Sequence, residues 1–206
     1  MATVLHVYRE VEIINNGVII PEMKDTITTS FDEKPGMQAI SMASEELPPV
    51  PGKHPTVTRD YEYKRLGTLS LLAGIDLHNG VVTETVGITH NSNDFIAFPK
   101  KLDLSYPKRK KTRLILDNLR VHMSTKTREH SPTIPNRFEF VFTSKQGSWL
   151  NIVEKLFSKL ARTILCEITV KTVEELKNRI EQDFQEINKS TVIFRWKYKM
   201  DEITIA

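Results

Sequence analysis

Only one cysteine, Cys166, occurs in the 206 residues. A lone thiol can form neither an internal disulfide nor a metal-thiolate cluster, which fits a reducing compartment. Long apolar runs are missing too: none approaches the roughly 20 residues that a membrane-spanning helix needs. The N-terminus lacks the basic, apolar and small-residue succession of a secretion signal. The expected protein is therefore cytoplasmic, with no membrane partner. Hydrophobic residues make up 39% and charged residues 27%, a balance that suits one buried core with at most an appendage. The net charge of +3 is mild, but the basic residues are clustered. Lys100-Lys101 and Lys108-Arg109-Lys110-Lys111, with Arg113, make a local positive field of the kind that follows a phosphate backbone. Plain solvated surface is the competing explanation for such a run.

The stretch Thr112-Arg113-Leu114-Ile115-Leu116-Asp117-Asn118 organises the rest. Its apolar run leaves no room for a solvated face, so it predicts a strand covered on both sides, as in the middle of an α/β sheet. The run ends on a carboxylate. Ligands and catalytic groups collect at the carboxyl ends of central strands, so Asp117 is placed either for chemistry or simply to turn the chain.

Residues Met1 to Ile14 carry Val4, Leu5, Val7, Tyr8, Val11 and Ile14 at helical spacing. A helix this short must pack on the following domain or on a partner, and residues 1–24 are expected as a helical piece with its connector. Thr26 to Asp32 alternates as a strand that again ends in a carboxylate. Asp32 and Glu33 must point to opposite faces. Asp32 continues the strand and is preferred, with Glu33 second. Lys34-Pro35-Gly36 is expected to turn the chain so that Met37 to Met42 pairs back. The prolines between Glu45 and Pro55 predict a surface loop. Thr68 to Leu77 and Val81 to Val86 predict a hairpin across Asn79-Gly80, which makes Asp76 an exposed turn carboxylate. A helix containing Phe95, Phe98 and Leu102 is flawed by Pro99. A short helix near Ser124 to Glu129 and a strand from Arg137 to Thr143 follow.

Gly147-Ser148-Trp149-Leu150-Asn151 leads into a helix running to about Leu165. At about 100° per residue, Leu150, Val153, Phe157, Ala161, Ile164 and Leu165 surround Glu154 on an apolar arc. A carboxylate there is expensive unless it is paired with a cation or bound to a metal. Thr172 with Glu175 is a capping box, and Leu176, Ile180, Phe184 and Ile187 line a second helix. The tail Phe194-Arg195-Trp196-Lys197-Tyr198-Lys199 interleaves aromatics and bases, either to clamp a nucleic-acid strand or to cover the core.

Two Asp and one Glu from three separate elements suit two divalent ions about 4 Å apart, the arrangement that serves in-line displacement at phosphorus. Phe31-Asp32-Glu33-Lys34-Pro35-Gly36-Met37-Gln38-Ala39, Arg59-Asp60-Tyr61-Glu62-Tyr63, Leu114-Ile115-Leu116-Asp117-Asn118 and Gly147-Ser148-Trp149-Leu150-Asn151 with Glu154 and Phe157-Ser158-Lys159 resemble bacterial insertion-sequence transposases. These are mariner-related members of the DDE superfamily. The resemblance covers nearly all of the chain from Thr26 to Ile203. It implies an α/β, ribonuclease-H-like fold over residues 25–206, with a mixed sheet of about five strands flanked by helices. It also implies Asp32, Asp117 and Glu154 as catalytic and metal-binding residues, with two Mg²⁺ or Mn²⁺ ions. Transposon ends and target DNA are the implied partners, with Lys108, Arg109, Lys110, Lys111, Trp149 and Asn151 at the DNA. A homo-oligomer during transposition and a bacterial, nucleoid-associated location belong to the same picture.

This chain departs from the family at Leu119, Leu66 and Gln146, where His is common, while His122 is retained. Few residues precede the Asp32 strand, which suggests a catalytic domain from a split or truncated gene. The leading expectation is DNA strand cleavage and transfer. The competing ones are a catalytically inactive remnant that binds DNA ends or dimerises as an inhibitor, and a ribonuclease-H-like hydrolase of structured nucleic acid.

Overall fold

The computed structural model describes residues 2–44, 48–56, 62–89, 92–108, 110–117, 137–144, 147, 150–166 and 168–197. Expectations for Arg109, Leu119, His122, the helix near Ser124 to Glu129, Gln146, Trp149 and Tyr198-Lys199 fall outside these residues. In chain order the elements are α1 (Ala2–Asn15), β1 (Thr26–Met42), β2 (Tyr63–Asp76), β3 (Val82–Gly87), α2 (Ser92–Ser105), β4 (Lys111–Leu116), β5 (Phe138–Phe142), α3 (Val153–Thr163) and α4 (Val173–Lys189). The strands form one mixed sheet in the order β3-β2-β1-β4-β5. β1, β2 and β3 pair antiparallel, whereas β4 and β5 run parallel to β1. This is the five-stranded α/β arrangement expected of a ribonuclease-H-like core. No helix among the described residues is long and apolar enough to cross a membrane.

Helices cover both faces. On one, Val4, Leu5, Val7, Tyr8 and Val11 of α1, with the apolar stripes of α3 and α4, pack on Leu71, Ala73, Ile75 and Ile115. On the other, Phe95, Phe98 and Leu102 of α2 pack on Phe31, Leu72, Leu114 and Leu116. Pro99 lies inside α2 without ending it. The short first helix thus finds its partner within this chain. Of the two roles open to the tail, the covering one is what Trp196 does: it is buried and stacked on Tyr8, with ring centroids 5.7 Å apart.

Lys34-Pro35-Gly36 does not reverse the chain. β1 runs on through it and pairs with β2 from Thr29–Asp76 to Met42–Tyr63, with a register shift between Lys34 and Met37. A β-bulge inserts one residue while keeping the ladder on either side. Pro35 has no N–H to lose there, and Gly36 adopts φ +70°. The extra residue also switches the strand's parity. Ser30 and Asp32 face the side covered by α1 and α3, and beyond the bulge the odd-numbered Met37 and Ala39 do so.

The hairpin after β2 forms at Asn79-Gly80, with Gly80 at φ +77° and its amide donating to the Asp76 carbonyl. Asp76, expected as an exposed turn residue, is buried instead. It accepts from the His78 N–H at 2.8 Å and the Tyr106 hydroxyl at 2.9 Å, because the end of α2 brings Tyr106 over it. β4 is buried from Thr112 to Leu116, as its apolar run requires.

The basic cluster divides in two. Arg113 is buried and pairs with Glu10 at 2.6 Å, so it is not surface charge. Lys108 pairs with Asp103, Lys101 lies 2.6 Å from Glu84, and Lys111 lies 3.9 Å from Glu139. The segment before β4 is held by buried Arg137. Its guanidinium donates to Asp103 at 2.8 Å and to the carbonyls of Tyr106, Pro107 and Lys108 at 3.2, 2.9 and 3.2 Å. Lysine keeps the charge but cannot reproduce that planar fork. Arg137→Lys is therefore expected to lower stability by about 3 kcal/mol, the scale of breaking a buried pair, as read by urea denaturation. A loss under about 1 kcal/mol would show that the fork is dispensable.

Candidate active site

Strand register brings the acidic residues together. β1 and β4 are parallel, with Ser30 opposite Ile115. Carried two residues further, that register points Asp117, just past the end of β4, toward Asp32 on the face of Ser30 and Ile115. Glu33 pairs opposite Leu72, which packs on the α2 side, so Asp32 is the carboxylate on the face covered by α3. Asp32 is buried, at 4% exposure. One of its oxygens accepts the Glu33 N–H at 2.8 Å and the other accepts from the Asn151 amide at 3.2 Å. A carboxylate oxygen has two lone pairs, so each keeps one beyond these bonds.

Asp117 is half-buried at the end of β4. Glu154 stands in the first turn of α3 and is exposed, contrary to the expectation that it sits on a buried stripe. The helix begins only at Val153 and ends at Thr163, and its buried residues are Val153, Leu156, Phe157 and Leu160. At about 100° per residue these centre roughly 110° away from Glu154, which puts it some 60° beyond the edge of the apolar arc. Leu150, Ile164 and Leu165, expected around it, lie outside the helix. Glu154 can therefore reach across the end of the sheet at little desolvation cost.

The charges of the other two carboxylates act on Asp32. Burial pushes the Asp32 carboxyl up to about 7, and the charges of Asp117, Glu154 and Glu33 add to the rise, against a lowering by the Glu33 N–H. A shift of that size corresponds to about 4 kcal/mol, so hydrogen bonds alone do not settle this charge. Three hard-oxygen donors whose like charges repel across a shared space are a donor set that a divalent cation fits. Among the described residues, no three Asp, Glu, His or Cys side chains are drawn close enough together to form a ready-made metal cluster.

Of the residues expected at DNA, Asn151 is not at the surface. It is 1% exposed, and its amide is spent on Ser30, the Phe31 carbonyl at 2.7 Å and Asp32. Lys108 and Lys111 are exposed, Lys110 is half-buried, and Arg109 and Trp149 lie outside the described residues. Ser30 is a site residue that patterning did not single out, although its place two residues before Asp32 on one strand face was available as a signal.

Asp32 carries a testable titration. Without metal, the folded protein keeps a proton on Asp32 between pH of about 4 and 7 that the unfolded chain has released. Stability should therefore fall as pH rises across that window, by up to about 4 kcal/mol, and level off above it. A divalent cation held by Asp32 would compete with that proton, so its affinity should rise with pH up to about 7. Carboxyl-detected NMR and calorimetry read the two effects, and an Asp32 carboxyl that titrates near 4 would overturn the assignment.

The sequence profile of the DDE superfamily endonuclease family matches residues 31–177, a span that holds all three acids. The fold superimposes on the Mos1 strand transfer complex with a TM-score of 0.55 and 14% identity, over 90% of this chain and 55% of that one. It also matches the Mos1 mariner paired end complex with Mn at 0.55 and 17%, over 90% and 56%. For the catalytic domain of Mos1 mariner transposase the values are 0.51 and 15%, over 88% and 80%. This chain thus spans little more than half the length of the transposase chains in those complexes. The curated proteins include no match. With the profile covering most of the chain, and the sheet order and helical cover those of a ribonuclease-H-like catalytic domain, this protein belongs to the DDE superfamily endonucleases.

Proposed function

We propose that this chain is the catalytic domain of a transposase that cleaves DNA strands at the ends of an insertion sequence and joins them to target DNA. The observation that carries the reading is the buried Asp32, on one sheet face with Asp117 and within electrostatic reach of Glu154. Asp32, Asp117 and Glu154 would hold two Mg²⁺ or Mn²⁺ ions. When bound, such a pair supplies activation of the attacking oxygen and stabilisation of the leaving one in displacement at phosphorus. The protein contributes the rest. Rigid strands fix Asp32 and Asp117, the first turn of α3 presents Glu154 from the solvent side, and the buried position of Asp32 keeps water from screening its charge. DNA ends and target are the partners, approached through the exposed lysines before β4, and the working form is a homo-oligomer at the nucleoid.

A second reading is an inactive relative that binds DNA ends or dimerises as an inhibitor. The absence of a closed metal cluster among the described residues favours it. So does Leu66, which packs against the core where the family commonly has His.

A metal-dependent nicking assay separates the two readings. Asp117→Asn removes a charge and a ligand oxygen with little change of shape, so it should abolish nicking in a folded chain. Leu119→His should raise nicking by about 10- to 100-fold if it restores an outer hydrogen bond, and should do nothing in the Asp117→Asn background. Equal nicking by the starting protein and Asp117→Asn would refute the role of Asp117, and no nicking by any of them would favour the inhibitor.

DNA affinity should be weak and salt-sensitive. Replacing Lys108, Arg109, Lys110 and Lys111 with alanine should flatten the log-affinity against log-salt slope by at most about 3 units, since Lys108 already has Asp103 as a counter-charge. Nanomolar, sequence-selective binding to terminal repeats would contradict this.

A further inference from the structure

We propose that Asn151 is a positioning residue that locks the Asp32 carboxylate and the start of the Glu154 helix into one hydrogen-bonded unit, presetting the distance between the two acids. This rests on the reading of Asp32, Asp117 and Glu154 as a metal-holding triad.

α3 lacks a side-chain cap of its own: its N-cap residue is Ile152 and makes no capping bond. Orphan N–H groups at a helix start need partners, and here they come from other elements. The Val153 N–H donates to the Ser30 hydroxyl of β1 at 3.1 Å, and the Ile152 N–H to the Tyr8 hydroxyl of α1 at 3.2 Å. Tyr8 in turn donates to the Leu150 carbonyl at 2.6 Å. The place of α3 on the sheet is therefore set by Ser30 and Tyr8, and Glu154 is the next residue along.

Asn151 joins this start to Asp32. It is 1% exposed, and both of its amide N–H groups are used. The carbonyl oxygen accepts from the Ser30 hydroxyl, and the two N–H groups go to the Phe31 carbonyl at 2.7 Å and Asp32 Oδ2 at 3.2 Å. The Phe31 carbonyl can only accept, so the NH₂ end must face β1 and the amide has one possible orientation. The result is a continuous chain from the Val153 N–H through Ser30 and Asn151 to the carboxylate. A purely structural Asn would need only the Phe31 carbonyl. The additional bond to Asp32 fixes the carboxylate's rotation and still leaves each oxygen one lone pair.

The test uses the full chain with Mg²⁺ and Mn²⁺ alone as probes. In ¹H–¹⁵N spectra the Asn151 side-chain NH₂ should move on Mg²⁺ addition, with the half-saturation seen for the Asp32 carboxyl. By Mn²⁺ paramagnetic resonance, folded Asn151→Leu should bind about 10- to 100-fold more weakly. Ser30→Ala should weaken binding by a smaller factor, and Asp32→Asn should lose it. The positioning role is overturned if Asn151→Leu, or Ser30→Ala should the former not fold, is less stable yet binds Mn²⁺ as tightly as the starting protein. It is equally overturned if the Asn151 amide stays unmoved in Mg²⁺. Undiminished Mn²⁺ binding by Asp32→Asn would instead sink the triad itself, so the two failures are told apart.

Discussion

A carboxylate buried in the middle of a β-sheet is the constraint around which the rest of this protein is arranged. Asp32 sits at 4% exposure on the sheet's central strand, where an isolated charge would cost several kcal/mol. One backbone N–H and one amide N–H reach it, each contributing about 1.5 to 3 kcal/mol as bonds to a charged group. These bonds leave its carboxyl near 7, so desolvation and the neighbouring acids outweigh them. The site is unstable as charge and sound as geometry, an arrangement that a bound cation would relieve.

The geometry follows from chain direction and parity. Parallel pairing of β1 with β4 places their carboxylates beside each other at one end of the sheet, and the bulge at Pro35-Gly36 lets β1 continue past the site without losing its ladder to β2. Without that inserted residue, either the Asp32 end or the Met37 and Ala39 end of β1 would face the wrong layer. Gly74, across from Phe31 on β2, serves the opposite face. A side chain there would meet Thr29 at 2.8 Å and the Phe98 ring at 3.0 Å, so its absence lets α2 seat closely.

Charge is sorted by burial rather than by sequence neighbourhood. Of the bases that run together before β4, Arg113 turns inward to Glu10, while Lys108 neutralises an Asp103 that Arg137 already holds. What remains for a phosphate backbone is less than the count of lysines and arginines suggests.

Local patterning determined a good deal about this protein. The apolar run of β4, the alternation before Asp32, the capping box with Thr172 accepting the Glu175 N–H at 3.0 Å, and the aromatic face of α2 were legible because each depends on near neighbours in sequence. Asp117 as the acid at the end of β4 was legible for the same reason, whereas Asp32, expected to close its strand, lies inside a β1 that runs on to Met42. Tertiary structure alone decided the rest. Whether Pro35-Gly36 bends the chain or bulges a strand depends on how much ladder β2 offers on both sides. Whether Asp76 is exposed depends on Tyr106, thirty residues away. The exposure of Glu154 and the burial of Asn151 turn on where α3 begins. Its first N–H groups are satisfied by Ser30 and Tyr8, side chains more than a hundred residues earlier, and no local pattern around 150–154 records partners that distant.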